Sequence, residues 1–407
     1  MKQNKKEQLV LFTNNFPFDS GEEFLETELL YLSNEFDHII LVPYFKKKDF
    51  VRNIPNNCEV VSIEHKQSFY KKALFILINI RIVIHWILGE IFLTKKVCIK
   101  NSLFDLKVLL HRIDLLNKIE KRIINKKNEN FIFYSYWFNT WGSIIAMLNY
   151  KYKKNKSLIR IHLYDFDIKA NDKKYFPFRN IEISKINHIA AISNNALEYM
   201  KNKYKIHDSI ISVNRLGVLQ NNILNIQKQD FVLVSVSSVI SVKRVDLIIK
   251  ILENIDLKIK WIHFGDGELM ADVKDKARLL PSNIEYEFKG YVSNSELLEF
   301  YKKSFIDLFI NVSELEGIPV TIMEAISFGI PVVGCNVGGI PEIVNKTTGI
   351  LLKEDFDIKE TARLITEYLL IPIDKKLVLR KNIKTFFNKE YNAEKNYPLF
   401  IQKLKEL

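Results

Sequence analysis

The chain contains little cysteine. Three residues occur in 407, namely Cys58, Cys98 and Cys335. An odd number at such wide spacing offers neither a disulfide framework nor a four-cysteine metal site, so a reducing compartment is expected. A hydrophobic content of 47% with 27% charged residues excludes a disordered protein. The length predicts two domains of about 200 residues each.

The chain also lacks tandem repeats and the pattern of a secretion signal. The basic residues 1–7 are followed by a short apolar run at 9–12 and then by Asn14. This run is too short for the core of a signal peptide, and we predict that it forms a first strand. A cytoplasmic protein is therefore expected.

No long apolar run is free of charge. Residues 73–93 approach the length of a membrane span. They are interrupted by three ionisable side chains that disfavour spanning: Arg81, His85 and Glu90. Trp86 lies within the run, and lysine pairs flank it at 71–72 and 95–96. Two interpretations stay open, a helix lying on or partly inserted at a membrane surface, and an ordinary buried helix of the N-terminal domain.

The net charge of +12 is concentrated in one region. Residues 51–230 carry 30 lysines and arginines against 14 aspartates and glutamates, a balance of +16. Such a region attracts an anionic membrane or nucleic acid. Its basic residues are scattered and are not arranged with stacking aromatic side chains, and no nucleic-acid-binding module is present. We therefore expect an anionic membrane surface as a partner and no nucleic acid.

Short apolar runs alternate with helical segments in both halves, which predicts parallel α/β domains. In the first half a strand at 9–13, a helix at 22–35 and a strand at 38–43 form a β-loop-α-β unit. Further strands are predicted in that half at 131–135, 158–162, 188–192 and 210–213. In the second half strands are predicted at 231–235, 258–265, 284–288, 306–312, 331–335 and 349–352, with helices between them at 245–254, 268–280, 295–303, 319–327 and 341–344.

The domain boundaries follow from this alternation and from composition. Residues 1–219 are predicted to form an N-terminal domain, and the polar stretch 220–230 is the predicted linker. Residues 231–385 are predicted to form a C-terminal domain. A helical segment at 386–407 is expected to return to the N-terminal domain.

Two glutamates stand in an apolar setting in the second half. Glu316 and Glu324 are eight positions apart, and Glu324 is the one charged residue in 318–333. Burying a carboxylate is unfavourable unless something binds it, so both residues are candidates for holding a ligand. Pro319 suits the first turn of the predicted helix, and Gly329 suits its end. This helix follows a parallel strand, at the edge where open α/β sheets bind ligands.

Four motifs in order resemble the group-1 retaining glycosyltransferases, which are glycosyltransferase family 4 with the GT-B fold. They lie at 243–249, 264–268, 288–292 and 316–344. The resemblance implies an α/β protein of two Rossmann-like, doubly wound parallel-sheet domains facing a cleft. In it the domain at 1–219 would bind the acceptor and the domain at 231–385 the nucleotide-sugar. The resemblance also implies a metal-independent hexosyltransferase, of the kind that builds bacterial surface polysaccharide such as capsule, O-antigen or exopolysaccharide.

The resemblance assigns roles to residues at matching positions. Glu316 would bind hydroxyl groups of the donor sugar, and Glu324 the ribose hydroxyls of the nucleotide. Lys243 would neutralise the diphosphate and help the leaving group depart. Val292 would pack beside the base, and the Val320 and Thr321 amides at the start of the helix predicted at 319–327 would meet phosphate. The same motifs contain the remaining donor-binding positions: Gly265, Gly267 and Gly317.

One position departs from the family pattern. The family has an arginine five residues before the lysine, where this chain has Ser238. Ser238 can donate a hydrogen bond but carries no charge. The diphosphate site therefore has one cation fewer, or it borrows one from Arg244.

The N-terminal half resembles the same enzymes less tightly. Residues 15–24 resemble their opening loop, in which Gly21 would let the backbone approach the donor phosphates or the acceptor. Residues 134–138 resemble a second segment. His162 follows a strand at the position of the family's active-site histidine, and it would orient or hydrogen-bond a group at the reacting face. A structural histidine at a strand end is the alternative.

The expected substrates are a UDP- or GDP-linked sugar and an oligosaccharide or lipid-linked saccharide acceptor, and no cofactor or metal is expected. Asp-x-Asp patterns at 165–167 and 355–357 are discounted, because the first lies beside His162 and the second in a charged surface stretch. The protein would be peripheral on the inner face of the cell membrane. A nucleotide-sugar epimerase of the same architecture is the alternative function.

Overall fold

The computed structural model describes residues 8–18, 22–46, 51–64, 76–94, 102–124, 131–152, 155–167, 175–222 and 230–407. The chain divides into two compact units. The first comprises Met1–Ile192, Ala196–Asn214 and Pro398–Leu407. The second comprises Ser193–Asn195 and Arg215–Tyr397.

The first unit is built on a parallel sheet of seven described strands in the order β3-β2-β1-β4-β5-β6-β7. The strands are β1 Gln8–Thr13, β2 Ile39–Pro43, β3 Cys58–Val60, β4 Phe131–Ser135, β5 Lys156–Ile161, β6 His188–Ala191 and β7 Ile211–Val213. The described helices are α1 Phe24–Glu35, α2 Ile80–Thr94, α3 Ser102–Ile119, α4 Thr140–Lys151, α5 Leu163–Phe166, α6 Arg179–Ile183 and α7 Asn194–Tyr204. The central strands are apolar and buried throughout, as expected for a parallel sheet covered on both faces.

The second unit is built on a parallel sheet of six described strands in the order β10-β9-β8-β11-β12-β13. The strands are β8 Phe231–Val236, β9 Ile259–Phe264, β10 Ile284–Gly290, β11 Leu308–Asn311, β12 Val332–Cys335 and β13 Gly349–Leu352. The helices are α8 Val245–Leu252, α9 Met270–Ala277, α10 Asn294–Lys303, α11 Val320–Ser327, α12 Ile340–Ile343, α13 Ile358–Leu369, α14 Ile373–Glu390 and α15 Ala393–Glu406.

Each sheet contains a point at which the strand order reverses direction. In the first unit this point lies between β1 and β4, and in the second it lies between β8 and β11. The loops that leave two such strands run to opposite sides of the sheet, so a crevice opens between them at the carboxyl ends. The sheet order alone therefore selects the loops after β1, β4, β8 and β11 as the places to look for a site.

The C-terminal helix α15 contributes to both units in turn. Residues 393–397 belong to the second unit and residues 398–407 to the first. Pro398 lies inside the helix, where it lacks the N–H that a helical hydrogen bond needs. In the first unit Phe400 packs on the buried guanidinium of Arg160, 4.2 Å from the ring centre to the Arg160 carbon. Arg160 in turn forms a 2.6 Å ion pair with buried Glu28.

The structure confirms the fold class, since both units carry the predicted parallel sheets. The helix predicted at 22–35 begins only at Phe24, because Glu22 has a left-handed backbone with φ 57°. The pattern does not predict β3, which is three residues long and too short for a recognisable alternation. The boundaries of the linker stay a prediction, because 223–229 lie outside the described residues.

The apolar segment predicted at 73–93 contains helix α2. One face of α2 is buried through Ile82, Val83 and Trp86. The opposite face, the α2 outer face, is apolar and exposed: Ile80 39%, Ile84 48%, Leu88 59% and Phe92 83%. Glu90, which argues against a span, accepts hydrogen bonds from Asn180 Nδ2 and the Ile181 amide, and burial raises its pKa. The buried face agrees with the interpretation of a helix packed on the N-terminal domain, and contact of the exposed face with a membrane surface stays a prediction. No described helix is long and apolar enough to cross a membrane.

Candidate functional site

The loops at the reversal point of the second unit are bonded directly to each other. The Glu314 amide, after β11, donates to the Val242 carbonyl, after β8, at 2.8 Å. A short 3-10 turn at Ser241–Lys243 places the loop after β8 in this position, just before α8 begins. The loops after β8 and β11 leave the sheet towards opposite sides, and this hydrogen bond holds them together at the carboxyl edge.

Lys243 and Glu316 form the centre of this site. The Lys243 Nζ lies 2.5 Å from Glu316 Oε1, and the two side chains are 22% and 11% exposed. Asn311, the last residue of β11, donates from Nδ2 to the same carboxylate oxygen at 3.3 Å. The structure therefore brings together the cation and the carboxylate that the sequence assigns to the diphosphate and to the donor sugar. Both remain open enough to exchange their partner for a ligand.

Arg244 is directed at the loop backbone. Its Nε donates to the Val312 carbonyl at 2.7 Å and its Nη2 to the Ser313 carbonyl at 3.3 Å. Nη2 also lies 3.5 Å from the buried Cys335 thiol, whose pKa burial raises to about 11. These contacts hold the loop that carries Glu316. The expectation that Arg244 supplies the missing cation finds no support in them, and Ser238 lies exposed in the loop after β8.

Glu324 is buried in the first turns of α11, at 6% exposure. The Asn294 side chain donates from Nδ2 to Glu324 Oε1 at 2.5 Å. Asn294 opens α10, which Ser293 and Glu296 cap reciprocally. The carboxylate thus lies beside the start of a second helix, and Val292 precedes that helix by two residues. A nucleoside that bonded Glu324 through its ribose would meet the Val292 segment with its base.

Backbone-to-backbone packing shapes the floor of the site and requires glycine. Gly265 has φ +130°, and a Cβ there would lie 1.9 Å from the Ser237 carbonyl oxygen. A Cβ on Gly267 would lie 2.5 Å from the Val239 carbonyl oxygen. The loops after β8 and β9 therefore lie in direct backbone contact, and the Ser237 and Val239 amides donate to the Phe264 and Asp266 carbonyls at 3.0 Å each.

The remaining predicted donor positions lie on the loop and first turn of α11. Gly317 follows Glu316, and its carbonyl accepts from the Gly339 amide at 2.9 Å. Val320 and Thr321 are the first two residues of α11 and are partly exposed. The amides of a first helical turn have no partner within the helix, and they add the positive end of the helix dipole. This geometry suits an anion such as a phosphate.

In the first unit His162 lies directly after β5 and is packed among aromatic rings. Its ring centre is 4.9 Å from that of Tyr136, 4.3 Å from that of Trp137 and 6.2 Å from that of Phe24. Its Nδ1 is 3.7 Å from Asp165 Oδ2, which is longer than a hydrogen bond. Burial lowers the pKa of His162, so the ring is neutral at neutral pH.

Gly21 lies outside the described residues, so its predicted role stays a prediction. The residue after it, Glu22, is buried and bonded to both loops at the reversal point of the first unit. Sequence patterns do not single out Glu22, because an acidic residue before a helix is ordinary. They also miss Asn294, whose partner Glu324 lies 30 residues further along the chain. Asn311 could have been found as the polar end of a buried strand.

Among the described ranges no group of three or more His, Cys, Asp or Glu side chains is arranged to hold a metal ion. That the protein needs no metal stays a prediction, which an activity assay can test.

Comparison with known proteins bears on these assignments. Residues 219–386 match the family model described as glycosyl transferases group 1. The phosphatidylinositol N-acetylglucosaminyltransferase gpi3 subunit of Schizosaccharomyces pombe is 24% identical over 46% of this chain and 42% of its own length. The amylovoran biosynthesis glycosyltransferase AmsK of Erwinia amylovora is 27% identical over 31% of this chain and 32% of its own length. The chain thus spans less than half of each of these relatives.

Among solved structures, HepE of Anabaena in complex with UDP is similar, with a TM-score of 0.67 and 13% identity. The superposition covers 98% of this chain and all of that chain. At this identity the likeness concerns the fold. The two parallel-sheet units are thus those of the GT-B architecture. Residues 219–386 match the group-1 glycosyltransferases, so the resemblance to that group is confirmed for these residues, whereas family 4 and the retaining mechanism stay predictions.

Proposed function

We propose that this protein transfers a sugar from a nucleotide-sugar to a saccharide acceptor in the synthesis of a bacterial surface polysaccharide. The observation that carries the proposal is the 2.5 Å pair of Lys243 and Glu316 at the reversal point of the second sheet, with Glu324 buried in the helix that follows. The UDP bound to the Anabaena structure and the polysaccharide role in the name of the Erwinia relative support it.

In this proposal three side chains each bind a different part of the donor. Lys243 leaves Glu316 to pair with the diphosphate, and it offsets the charge that grows as the bond to the sugar breaks. Glu316 is then free to accept hydrogen bonds from hydroxyl groups of the sugar. Glu324 holds the ribose and fixes the nucleoside, while the amides at the start of α11 face the phosphates.

The anomeric configuration is retained in this proposal. The sequence offers no nucleophile for the reacting face of the donor, so departure of the diphosphate and attack of the acceptor hydroxyl take place on the same face. The neutral His162 ring orients a hydroxyl group there. No metal takes part, because Lys243 and helix amides supply the positive charge.

The direct test is an assay of the full chain with a panel of UDP- and GDP-sugars, preceded by thermal-shift screening for the donor that raises the melting temperature. The anomeric proton coupling of the product, measured by NMR, should show the configuration of the donor, and EDTA should leave the rate unchanged. Glu324→Gln should lose at least tenfold in donor affinity. Its matched control is the exposed Glu253→Gln, which should keep the donor affinity of the wild type.

Conversion of the donor in the absence of acceptor would favour the epimerase. An inverted product would overturn the proposed course of the reaction, and a requirement for a divalent cation would overturn its metal independence.

The acceptor proposed for this reaction is lipid-linked, and the N-terminal unit is proposed to bind the anionic membrane surface that carries it. The α2 outer face is the supporting observation. Its four side chains repeat every four residues from Ile80 to Phe92, so they share one side of the helix. Arg81 is exposed beside them, and the surrounding sequence 51–230 has a balance of +16. An apolar stripe with basic surroundings suits the interface of an anionic bilayer.

Vesicle sedimentation tests this part. Phosphatidylglycerol vesicles at low salt should bind the protein, and pure phosphatidylcholine vesicles should bind it weakly. The double variant Leu88→Ser, Phe92→Ser should reduce binding at least tenfold, since each side chain is worth about 1.5–3 kcal/mol when buried. Leu279→Ser removes an equally exposed leucine from the second unit and serves as the control. Equal binding of the double variant and the wild type would exclude α2 as the anchor.

A further inference from the structure

A buried carboxylate organises the reversal point of the first unit. Glu22 is 5% exposed and lies between β1 and α1. Its Oε1 accepts from the Asn14 amide at 3.0 Å, and its Oε2 accepts from the Asn15 and Phe16 amides at 2.7 Å each. Three successive amides of the loop after β1 thus converge on one carboxylate. Such a nest of N–H groups holds an anion tightly.

The same carboxylate reaches the loop after β4. The Trp137 indole donates its Nε1 proton to Glu22 Oε1. A second contact joins the two loops, from Asn139 Nδ2 to Asn14 Oδ1 at 2.5 Å. Glu22 is therefore the point at which the two loops of the crevice are tied to one charged group.

The backbone of Glu22 is strained in order to make these contacts. Its φ of 57° lies in the left-handed region, which glutamate seldom adopts because its Cβ crowds the backbone there. Strain of this kind persists where the surrounding contacts fix the residue, and it is concentrated at functional sites. Four charge-assisted hydrogen bonds to one carboxylate are sufficient to fix it.

The contact continues from Trp137 to His162. The two ring centres are 4.3 Å apart, so the indole forms one wall of the pocket in which the imidazole sits. His162 is buried, with 7% of its surface exposed. Within the described part of the chain its Nε2 atom nevertheless has no hydrogen-bond partner. A buried ring nitrogen without a partner is a candidate for contact with a ligand, and the direction of the ring is set by the aromatic rings around it together with the nearby Asp165 carboxylate.

We propose that Glu22 is the positioning residue of the N-terminal half-site: its carboxylate holds the loop after β1 and fixes Trp137, which sets the orientation of the His162 ring. This inference rests on the proposed transferase function for the role of His162. The arrangement of Glu22 and Trp137 stands independently of that function and can be observed in the protein without substrate.

The test is Glu22→Gln, which keeps the shape of the side chain. An amide offers one acceptor oxygen and presents an NH2 group to amides that need an acceptor, so two or more of the four hydrogen bonds are lost. In a 1H–15N spectrum the Trp137 indole resonance, identified by its absence in Trp137→Phe, should shift strongly upfield. The other three tryptophan indole resonances should stay in place.

In the transfer assay Glu22→Gln should lower kcat at least tenfold and leave the donor KM within twofold, because the proposed donor contacts lie in the second unit. Trp137→Phe should lower kcat by a similar factor. The double variant should be no slower than the slower single variant, since both changes break the same chain of contacts. Glu23→Gln, at the neighbouring position that pairs with Arg52, is the control and should change neither the resonance nor kcat.

An unshifted indole resonance in Glu22→Gln, or a kcat equal to that of the wild type, would overturn the inference. If Glu22→Gln does not fold, Trp137→Phe alone decides, because a wild-type kcat in that variant also overturns it. A wild-type protein without transfer activity would instead refute the proposed function, and the indole resonance would still report on whether Glu22 holds Trp137.

Discussion

At the scale of single residues, the site of the second unit depends on charged groups that are only partly removed from water. Lys243 and Glu316 pair with each other, whereas Glu324 is buried against Asn294. The pair can be opened by a ligand with little loss, because it is partly solvated. The buried glutamate has no such freedom, and in the proposed function it holds the ribose in one place. The two glutamates of one motif are thus expected to respond differently to substitution.

The proposed roles of Lys243 and Glu324 can be separated by measuring the affinity of variants for a nucleoside and for its diphosphate. Lys243→Met should weaken the diphosphate about 10- to 100-fold and leave the nucleoside unchanged, because a charge-assisted hydrogen bond is worth about 1.5–3 kcal/mol. Glu324→Gln should weaken both ligands by a similar factor, because it acts on the ribose. Isothermal titration with the donor nucleotide identified by screening measures both constants. A nucleoside that loses affinity in Lys243→Met would show that the lysine does not act on the phosphates.

The sequence alone predicts Lys243, Glu316 and Glu324 as site residues, because each stands at a defined position in a recognisable motif. It does not predict Asn294 or Glu22, because their importance arises from elements that meet only after folding. Arg244 illustrates the reverse case. Its position beside Lys243 suggests a phosphate ligand, but the left-handed backbone at Arg244, φ 48°, and the contacts of its side chain place it against the carbonyls of the next loop.

A buried histidine should make the second unit sensitive to acid. Burial lowers the pKa of His263 to about 4, whereas the unfolded chain has a value near 6.5. The unfolded state therefore binds the proton more readily, and stability is complete above about pH 6.5 and decreases as the pH falls towards 4. The loss should approach about 3 kcal/mol. Denaturant unfolding of wild type and His263→Gln from pH 7.5 to 4.5 measures it, and the variant should show the shallower dependence. Identical slopes would contradict the assignment.

At the scale of elements, parallel strands are predictable because each is a short apolar run, and nearly all appear within two residues of the expected bounds. Helices that lie between irregular segments are less predictable. Helix α2 was ambiguous for a physical reason, since it is apolar on both faces and only one face packs on the unit. Periodicity shows where a buried face lies only when the other face is polar.

The loop contact between β8 and β9 should tolerate no side chain at Gly265. Gly265→Ala places a Cβ 1.9 Å from the Ser237 carbonyl oxygen, so the loops must separate. We expect a loss of more than about 3 kcal/mol in the free energy of unfolding together with loss of donor binding. Gly290→Ala is the matched control, because Gly290 has φ +66° but no atom within 4 Å of its Cβ position, and about 1 kcal/mol is expected. Denaturant unfolding compares the two, and equal losses would refute the role of the close contact.

At the scale of the whole molecule, the last residues complete the first unit after the second has been built. Phe400, Ile401 and Leu404 are buried, and Phe400 covers the Arg160 guanidinium. The sequence indicates a returning helical segment, but it does not indicate that one helix, α15, is shared between the units at Pro398. The point of division depends on which unit each side chain of α15 packs against. The amino-acid composition of the segment does not show this.

Removal of residues 398–407 should therefore destabilise the first unit selectively. Each buried apolar side chain contributes about 1.5–3 kcal/mol, and the loss of Phe400 uncovers a buried ion pair. Hydrogen exchange should show lost protection in β4 and β5 and retained protection in β8 and β11. Phe400→Ala should reproduce part of the effect, whereas Leu399→Ser, at a position that is 65% exposed, should have none. Uniform loss across both units would show that they do not unfold separately.

The path of the chain also bears on the order of folding during synthesis. A ribosome releases residues 215–397 before residues 398–407 emerge, so the second unit has all of its residues in place while the first still waits for residues 398–407. Domains commonly fold in the order in which they are made. Here the nascent first unit would carry an uncovered strip over β4 and β5 until residues 398–407 have emerged, because Phe400 packs on Tyr134 and Arg160 of these two strands.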